Sequence, residues 1–183
     1  MNIEEYNRCI AVNLSSVVYC MKHVAPHMRK NGGGSFITTA SVAGIQAGYS
    51  SSMMYSVAKA AVIHLTKLVA MELGEDNIRV NTISPGAIPT GIFGKAAGLS
   101  DEVSEQLLPV LRKQFAKAQP IPRAGLGDDI AYAAVFLASD ESSFVNAIDI
   151  VVDGGLTGGN QWTAQQSGLK ARNNALRKMA SKL

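Results

Sequence analysis

Two long segments of the chain show helical periodicity in their hydrophobic positions. Between residues 4 and 30, apolar side chains recur every three or four positions, and a run of asparagine and glycine ends the pattern at residues 31–34. Residues 53–74 are apolar on almost every side, which indicates a helix buried on more than one face. The pattern therefore predicts helices over 4–30 and 53–74.

Short segments rich in β-branched residues alternate with further helical patterns. The predicted strands cover residues 35–40, 78–84 and 146–152. The further predicted helices cover residues 101–118, 128–139 and 164–181. Such alternation predicts an α/β fold with a parallel sheet. Because parallel strands normally have neighbours on both sides, three strands indicate part of a larger domain.

Composition narrows the class of protein. The chain has 183 residues, 47% hydrophobic and 17% charged, with a formal net charge of +3. The five basic residues after Gly154 have no acidic counterpart, and without them twelve basic residues face fourteen acidic ones. We interpret the basic tail as a solvated helix face, so no nucleic acid is predicted as a partner. No apolar run reaches the length of a membrane span and no secretory leader is visible, which favours a cytoplasmic location.

Cysteines and histidines give no sign of a disulfide or a metal. Cys9 and Cys20 lie in one predicted helix, about 16 Å apart at helical rise, which is too far for a disulfide. His23 and His27 are four residues apart, but no third ligand accompanies them, and a helical surface pair is the simpler interpretation. We therefore predict free thiols and no metal.

Tyr55 and Lys59 are the most informative chemical pair. Residues four apart share a helical face, and an ammonium beside a phenol favours the ionised phenol. Such a tyrosine can act as an acid or base near neutral pH. Taken alone, however, the pattern Y-x-x-x-K is weak, because chance matches are frequent and an ordinary helical pair is the better explanation.

Three other positions strengthen the interpretation. Ser41 follows the first predicted strand and Pro85-Gly86 follows the second, at the end of an open sheet where ligands bind. Asn13 lies in the middle of a predicted helix, where its amide does not favour helix formation. These positions suggest one site at the carboxyl ends of the strands.

Here the chain resembles the classical short-chain dehydrogenase/reductase family. The matching stretches, in the family's order, are Ala11–Leu14, Thr39–Gly44, Tyr55-x-x-x-Lys59, Ile78–Asn81, Pro85–Thr90 and Val152–Gly155. The resemblance implies a partial Rossmann-type, doubly wound parallel sheet comprising its last three strands with flanking helices. It also implies that residues 1–159 are the C-terminal catalytic part of that domain and residues 160–183 a basic extension.

The resemblance assigns roles to the residues that match. Tyr55 would exchange a proton with the substrate oxygen, Lys59 would assist it and contact the nicotinamide ribose, and Ser41 would hydrogen-bond the substrate oxygen. Asn13 would hold a water that links Lys59 to solvent. Besides Tyr55 and Lys59, the residues that would contact NAD or NADP are Pro85, Gly86, Ile88 and Thr90. The preference between the two cofactors is not readable.

One family element is not found in this sequence. The glycine-rich turn that holds the pyrophosphate has no match, since the glycines at 32–34 follow a helix instead of preceding one. We therefore expect that the dinucleotide-binding half is missing. The alternative to an enzyme is a catalytically inactive fragment that acts at most as an oligomerisation module.

The sequence also gives expectations about the class of substrate and about the oligomeric state. Apolar residues near the catalytic tyrosine favour a hydrophobic secondary alcohol or ketone, and a 3-oxoacyl-carrier-protein reductase is the alternative within the class. The predicted substrate-pocket residues are Val42, Tyr49, Met53, Ile92 and Phe93. By resemblance, helices 4–30 and 53–74 would pack against their copies in a homo-oligomer, a dimer or tetramer.

Overall fold

The computed structural model describes residues 2–50 and 52–181 of the chain. Its strands are β1 (Gly34–Thr39), β2 (Ile78–Pro85) and β3 (Asp149–Val152). The α-helices, in chain order, are α1 (Ile3–Ile10), α2 (Ser16–Lys30), α3 (Met53–Leu73), α4 (Ile92–Ala96), α5 (Asp101–Gln106), α6 (Leu108–Phe115), α7 (Gly127–Ala138) and α8 (Trp162–Ala180). A π-helical turn, Ala11–Ser15, joins α1 to α2.

The three strands form one parallel sheet in the order β1-β2-β3. Gly34 pairs with Ile78 at one end of the β1–β2 ladder, and Thr39 pairs with Ile83 at the other. The shorter β3 pairs with the last residues of β2, from Thr82 onward. The predicted α/β class and the parallel sheet are therefore confirmed, and the carboxyl ends of β1 and β2 meet at one edge.

Helices cover both faces of this sheet. On one face, side chains of α2, α3 and β2 form a hydrophobic core of Met21, Ala25, Ala70, Leu73, Ile78 and Val80. Successive strand residues point to opposite faces, so Ser35 and Arg79 point away from that core. Both donate hydrogen bonds to the carbonyl oxygen of Leu137 in α7, Ser35 at 2.6 Å and Arg79 at 2.9 Å. Hence α7 lies on the face opposite α2 and α3.

Arg79 also caps the end of α7. Besides Leu137, its guanidinium donates to the hydroxyl of Ser142 at 2.8 Å and to the carbonyl of Ser139 at 3.2 Å. The last carbonyls of a helix have no partner within the helix, so these bonds supply what the helix lacks. The Arg79 side chain on β2 thereby fixes where α7 ends.

Three buried threonine hydroxyls connect α3 to the sheet. Thr66 of α3 lies 3.0 Å from the hydroxyl of Thr38 in β1 and 2.7 Å from that of Thr82 in β2. Thr38 and Thr82 are themselves 3.0 Å apart, which closes a ring. Buried hydroxyls stabilise a fold only when they are hydrogen-bonded, and each of these has partners. The ring fixes the position of α3, which carries Tyr55 and Lys59, over β1 and β2.

The boundaries of two predicted elements differ from the structure. The strand expected from residue 146 begins at Asp149, because the Asn146 side chain accepts from the Val80 amide at 2.8 Å and Ala147 adopts a left-handed conformation. The helix expected over 101–118 is two helices, α5 and α6. Pro109 lies at the start of α6 and has no N–H to donate to the preceding turn. The short helix α4 was not predicted.

The chain divides into two compact units. The first contains Met1–Gly86 and Leu126–Asp153, and the second contains Ala87–Gly125 and Gly154–Leu183. The sheet with α1, α2, α3 and α7 belongs to the first unit. Within the second, the Gln161 side chain donates to the carbonyls of Gln119 at 3.2 Å and Ala116 at 3.4 Å. The segment 160–183 therefore shares its unit with residues 87–125.

Candidate active site

Tyr55 and Lys59 occupy the first turns of α3. Ser52 caps this helix, because its hydroxyl accepts from the Tyr55 amide at 3.3 Å. Tyr55 is half-buried, and the Lys59 ammonium lies 5.5 Å from the centre of its ring. That is within the distance at which a cation is attracted to an aromatic face. The two side chains share a helical face, as the spacing predicts.

The Lys59 ammonium is anchored at the end of the sheet. It donates to the carbonyl oxygen of Thr39, the last residue of β1, at 2.9 Å. Burial lowers the pKa of Lys59 from its ordinary value, and the charge of Cys9 offsets part of that lowering. Since only one of its three hydrogens is used by Thr39, the ammonium retains donors for a ligand.

Ser41 lies in a tight turn that packs on the same part of α3. Its hydroxyl accepts from the Ala43 amide at 3.1 Å, which caps the 3-10 turn Val42–Gly44. A Cβ atom at Gly44 would lie 2.6 Å from the carbonyl carbon of Lys59, so only glycine permits this approach. Accepting one hydrogen bond leaves the Ser41 hydroxyl its own hydrogen to donate.

Asn13 lies in the π-helical turn between α1 and α2. Its amide nitrogen donates to the Cys9 carbonyl at 3.1 Å and lies 3.7 Å from the Cys9 sulfur. Single π-helical turns inside α-helices are frequent at functional sites. Cys9 is also the residue whose charge acts on Lys59, which connects this turn to that lysine.

Pro85 and Gly86 follow the central strand closely. Pro85 ends β2, and the Gly86 amide donates to the Val152 carbonyl at 3.0 Å. A Cβ atom at Gly86 would lie 2.6 Å from the Cα of Asp153, so a larger residue would push the two chain segments apart. Like Thr39, both residues lie at the carboxyl ends of the parallel strands.

The other predicted site residues fall into two groups. Val42 is buried, with 4% of its surface exposed, whereas Met53 is 72% exposed and Tyr49 is exposed at the rim of the Ser41 loop. The remaining predicted residues belong to the second unit, and they are Ile88, Thr90, Ile92 and Phe93. In that unit Phe93 packs edge-to-face on Phe115, with ring centres 5.0 Å apart.

A groove of about 330 Å³ lies elsewhere in the first unit, between α3 and the free edge of β3. It is lined by Gly44, Ile45, Ala60, Ile63, His64, Lys67, Asp149 and Val151. None of the predicted pocket residues lines this groove. In the described ranges, 2–50 and 52–181, no three histidine, cysteine or acidic residues come together as a metal site would require.

Comparison with known proteins identifies the family. A family model described as enoyl-(acyl carrier protein) reductase matches residues 1–157. An NADP-dependent mannitol dehydrogenase of Hypocrea jecorina is 40% identical over 154 residues, which are 84% of this chain and 53% of that protein. A 3-oxoacyl-[acyl-carrier-protein] reductase of Chlamydia pneumoniae is 37% identical over 86% of this chain and 58% of that protein.

A solved structure agrees with these matches. The NAD-bound 3-oxoacyl-[acyl-carrier protein] reductase of Brucella melitensis superposes with a TM-score of 0.70 at 33% identity, over 85% of this chain and 53% of that one. The chain belongs to the short-chain dehydrogenase/reductase family. Its predicted partial Rossmann-type fold is confirmed. The chain spans about half the length of the curated relatives it matches.

Two functional contacts were not predicted by the family motifs. The Thr39 backbone carbonyl accepts a hydrogen bond from Lys59, and no side-chain pattern in the sequence indicates such a contact. Cys9 lies one turn before Asn13, and its spacing to that residue was available in the sequence. Its proximity to Lys59 depends on how α1 and α3 pack, which only the structure supplies.

Proposed function

We propose that this chain carries the catalytic part of an NAD(P)-dependent oxidoreductase that interconverts a secondary alcohol and a ketone. The observation that carries the proposal is the fixed Lys59 ammonium, 5.5 Å from the Tyr55 ring and held by the Thr39 carbonyl. This arrangement places a phenol O–H and an ammonium on one helical face, beside the end of the sheet. Tyr55 can therefore give a proton to a substrate oxygen during reduction and take it back during oxidation.

Ser41 and Asn13 complete the proposed machinery. The Ser41 hydroxyl has a hydrogen to donate to the same substrate oxygen, where negative charge develops during the reaction. Asn13 would hold a water that carries protons between Lys59 and solvent. Each role depends on hydrogen-bonding capacity that these side chains retain after their contacts within the protein.

The residues at the strand ends fit a nicotinamide nucleotide. Gly86 brings its backbone against Asp153 without a side chain, which holds Pro85 and Gly86 at the carboxyl ends of the strands, where a nucleotide would bind. The free donors of Lys59 suit a ribose hydroxyl. When bound, the cofactor supplies the hydride chemistry. Relatives named for NADP and bound to NAD support either form without selecting one.

For the substrate, we propose a hydrophobic secondary alcohol or ketone. The support is the exposed apolar surface of Met53 at the start of α3 and of Tyr49 in the segment between the Ser41 turn and α3. The relatives leave a 3-oxoacyl thioester as the alternative, since one of them is named for that activity. Comparing a cyclic ketone with acetoacetyl-coenzyme A as substrates separates the two.

The test uses the protein encoded by the longest reading frame that contains this chain. The rate of ketone reduction is measured with NADH and with NADPH over a panel of ketones. Replacing Tyr55 by phenylalanine removes the proton donor, so we expect kcat to fall by about 100- to 10,000-fold. The matched control is Tyr132→Phe, because Tyr132 is 72% exposed on α7. Circular dichroism of each variant verifies that the fold is intact.

Two results would contradict the proposal. One is a Tyr55→Phe variant with undiminished turnover, since proton transfer would then use another group. The other is a parent protein that binds neither nucleotide in calorimetry and reduces no ketone. In that case the chain would be an inactive fragment, an oligomerisation module at most.

We also propose that the chain pairs with copies of itself through the helices of residues 4–30 and 53–74. In α3, Val57, Leu68 and Met71 expose 50%, 53% and 74% of their surfaces, and they fall on one side of the helix. An exposed apolar stripe of this kind is typical of a protein interface.

None of the described helices is long and apolar enough to cross a bilayer.

A further inference from the structure

Cys9 makes two contacts with the side-chain amide of Asn13. Its backbone carbonyl accepts from the amide nitrogen at 3.1 Å, and its sulfur lies 3.7 Å from the same atom. An asparagine amide has two N–H donors on one side and one oxygen acceptor on the other. Both contacts therefore use the nitrogen side, and the backbone carbonyl and the thiol of Cys9 together favour this orientation of the amide.

The orientation of this amide affects what Asn13 can bind. With its nitrogen against Cys9, the Asn13 oxygen points away and is available as an acceptor. The opposite orientation would place that oxygen against the Cys9 carbonyl, where two acceptors would face each other. The carbonyl is present whatever residue occupies position 9, but the second contact depends on the thiol, because sulfur is a weak acceptor.

The same thiol lies in the electrostatic environment of Lys59. The groups that face the Lys59 ammonium are the Tyr55 ring on its own helix, the Thr39 carbonyl on β1, and Cys9 on α1. Cys9 is the only one of these that can carry a charge and that comes from another helix. It is half-buried, so its interaction with Lys59 is only partly screened by water.

We propose that Cys9 is a positioning residue for the proton relay: its thiol, together with its backbone carbonyl, holds the Asn13 amide in one orientation. This inference rests on the proposed function, because it concerns the relay that serves Tyr55. It assigns no direct contact between Cys9 and the substrate. The sulfur acts through Asn13 and Lys59.

Two substitutions at position 9 separate the two roles. Cys9→Ser retains an acceptor beside the Asn13 amide but removes the ionisable thiol, whereas Cys9→Val removes both properties at similar volume. Cys20→Val is the matched control, since Cys20 is an exposed thiol on α2. Urea unfolding of all three variants verifies that they are folded before any other comparison.

The readouts use the 183-residue chain without cofactor or substrate. Nuclear magnetic resonance follows the side-chain amide signals of Asn13 and the titration of the Lys59 ε-carbon, assigned with Asn13→Asp and Lys59→Arg variants. We expect the Asn13 amide protons to exchange faster and shift in Cys9→Val and to stay near the parent in Cys9→Ser. Because the charge interaction with Cys9 raises the pKa of Lys59, its loss should lower that pKa further in both variants, and the Cys20→Val control should match the parent.

The functional readout is kcat, measured in the protein encoded by the longest reading frame that contains this chain. In Cys9→Val we expect kcat to fall by roughly threefold to tenfold, the range of one neutral hydrogen bond, and the basic limb of its pH profile to move to lower pH. Cys9→Ser should recover kcat while its basic limb remains shifted.

Failure of this inference differs from failure of the proposed function. If Cys9→Val leaves the Asn13 amide signals, the Lys59 titration and the pH profile unchanged, Cys9 has no positioning role although Tyr55 can still be catalytic. If the amide and titration changes occur but the parent never turns over a ketone, the proposed function is wrong and the contacts of Cys9 are still as inferred.

Discussion

Asp149 is a carboxylate held partly inside the first unit. It lies on the edge strand β3, and the Ser84 hydroxyl is 2.8 Å from both of its oxygens. Burial raises the pKa of Asp149 above its ordinary value, while the bond from Ser84 and the charge of Lys67 lower it by smaller amounts. The ionised carboxylate is therefore less favourable in the folded chain than in the unfolded one.

This imbalance predicts how Asp149→Asn responds to pH. Above the raised pKa the folded state bears the desolvation of a charge, and as the pH falls through that pKa the folded carboxyl takes up a proton first. An asparagine avoids the charge and still accepts from Ser84. We expect the variant to have a Tm a few degrees higher at pH 7 and to lose this advantage as the pH approaches 4. Calorimetric scans between pH 4 and pH 8 measure it.

Glu141→Gln is the control for this prediction, because Glu141 is an exposed acid of the same unit. This variant removes one negative charge, as Asp149→Asn does, but at a position that is exposed to solvent. A variant Asp149→Asn that is less stable than the parent at pH 7, or whose advantage does not vary with pH, would mean that burial of the carboxylate is not unfavourable.

At the same scale, local spacing predicted some contacts and not others. Tyr55 and Lys59 are one helical turn apart, so their shared face follows from helix geometry alone. Ser84 and Asp149 are far apart in the chain and meet because β2 and β3 pair in one register. Long-range neighbours of this kind depend on strand register, which the hydrophobic pattern of a buried strand does not fix.

Among the elements, the Ser41 turn and α3 approach each other too closely to admit a side chain between them. Gly44 lies directly against the backbone of Lys59 and Ala60, with no space for a Cβ. Because the obstructing atoms are backbone, they cannot move without moving the helix. The distance between the turn that carries Ser41 and the helix that carries Tyr55 therefore depends on one glycine, Gly44.

Replacing Gly44 by alanine should separate these two elements. We expect a loss of stability of about 1–3 kcal/mol, the range for overpacking, and a larger proportional fall in kcat than in binding affinity. Urea unfolding and steady-state kinetics measure the two effects. Gly168→Ala is the control, since nothing lies within 4 Å of a Cβ there and alanine favours a helix. Equal kinetics in Gly44→Ala and the parent would show that the spacing is not critical.

The elements also show where sequence patterns are sufficient. The helices over 4–30 and 53–74 were predicted from long periodic stretches, and α1, α2 and α3 confirm them. The π-helical turn at Asn13 was not predicted, since it adds one residue to a turn without changing the apolar stripe. In the same way, Asn146 replaces a strand bond with a side-chain bond, which no β-propensity reveals.

For the whole molecule, the exposed apolar stripe of α3 predicts self-association. Introducing a charge into it should be costly only if a partner covers it, because a buried unpaired charge is strongly unfavourable. We expect Leu68→Glu to shift the chain toward smaller species in sedimentation velocity, with the melting temperature of the separated chain little changed. Met179→Glu is the control, since Met179 is 67% exposed on α8, outside the two helices.

A parent chain that sediments as a monomer at all accessible concentrations would contradict this prediction. So would a Leu68→Glu variant that associates as strongly as the Met179→Glu control. Either result would leave the helices exposed in the free protein, and the stripe would then need another explanation.

The guanidinium of Arg79 serves three acceptors at once, and this has a practical consequence for protein engineering. A lysine has a single nitrogen and cannot reproduce a planar fork, so Arg79→Lys would lose at least one of the three bonds to Leu137, Ser139 and Ser142. Positions 79 and 142 therefore form a coupled pair. A mutagenesis library should randomise both codons together, since single replacements at either one would be discarded for reasons unrelated to catalysis.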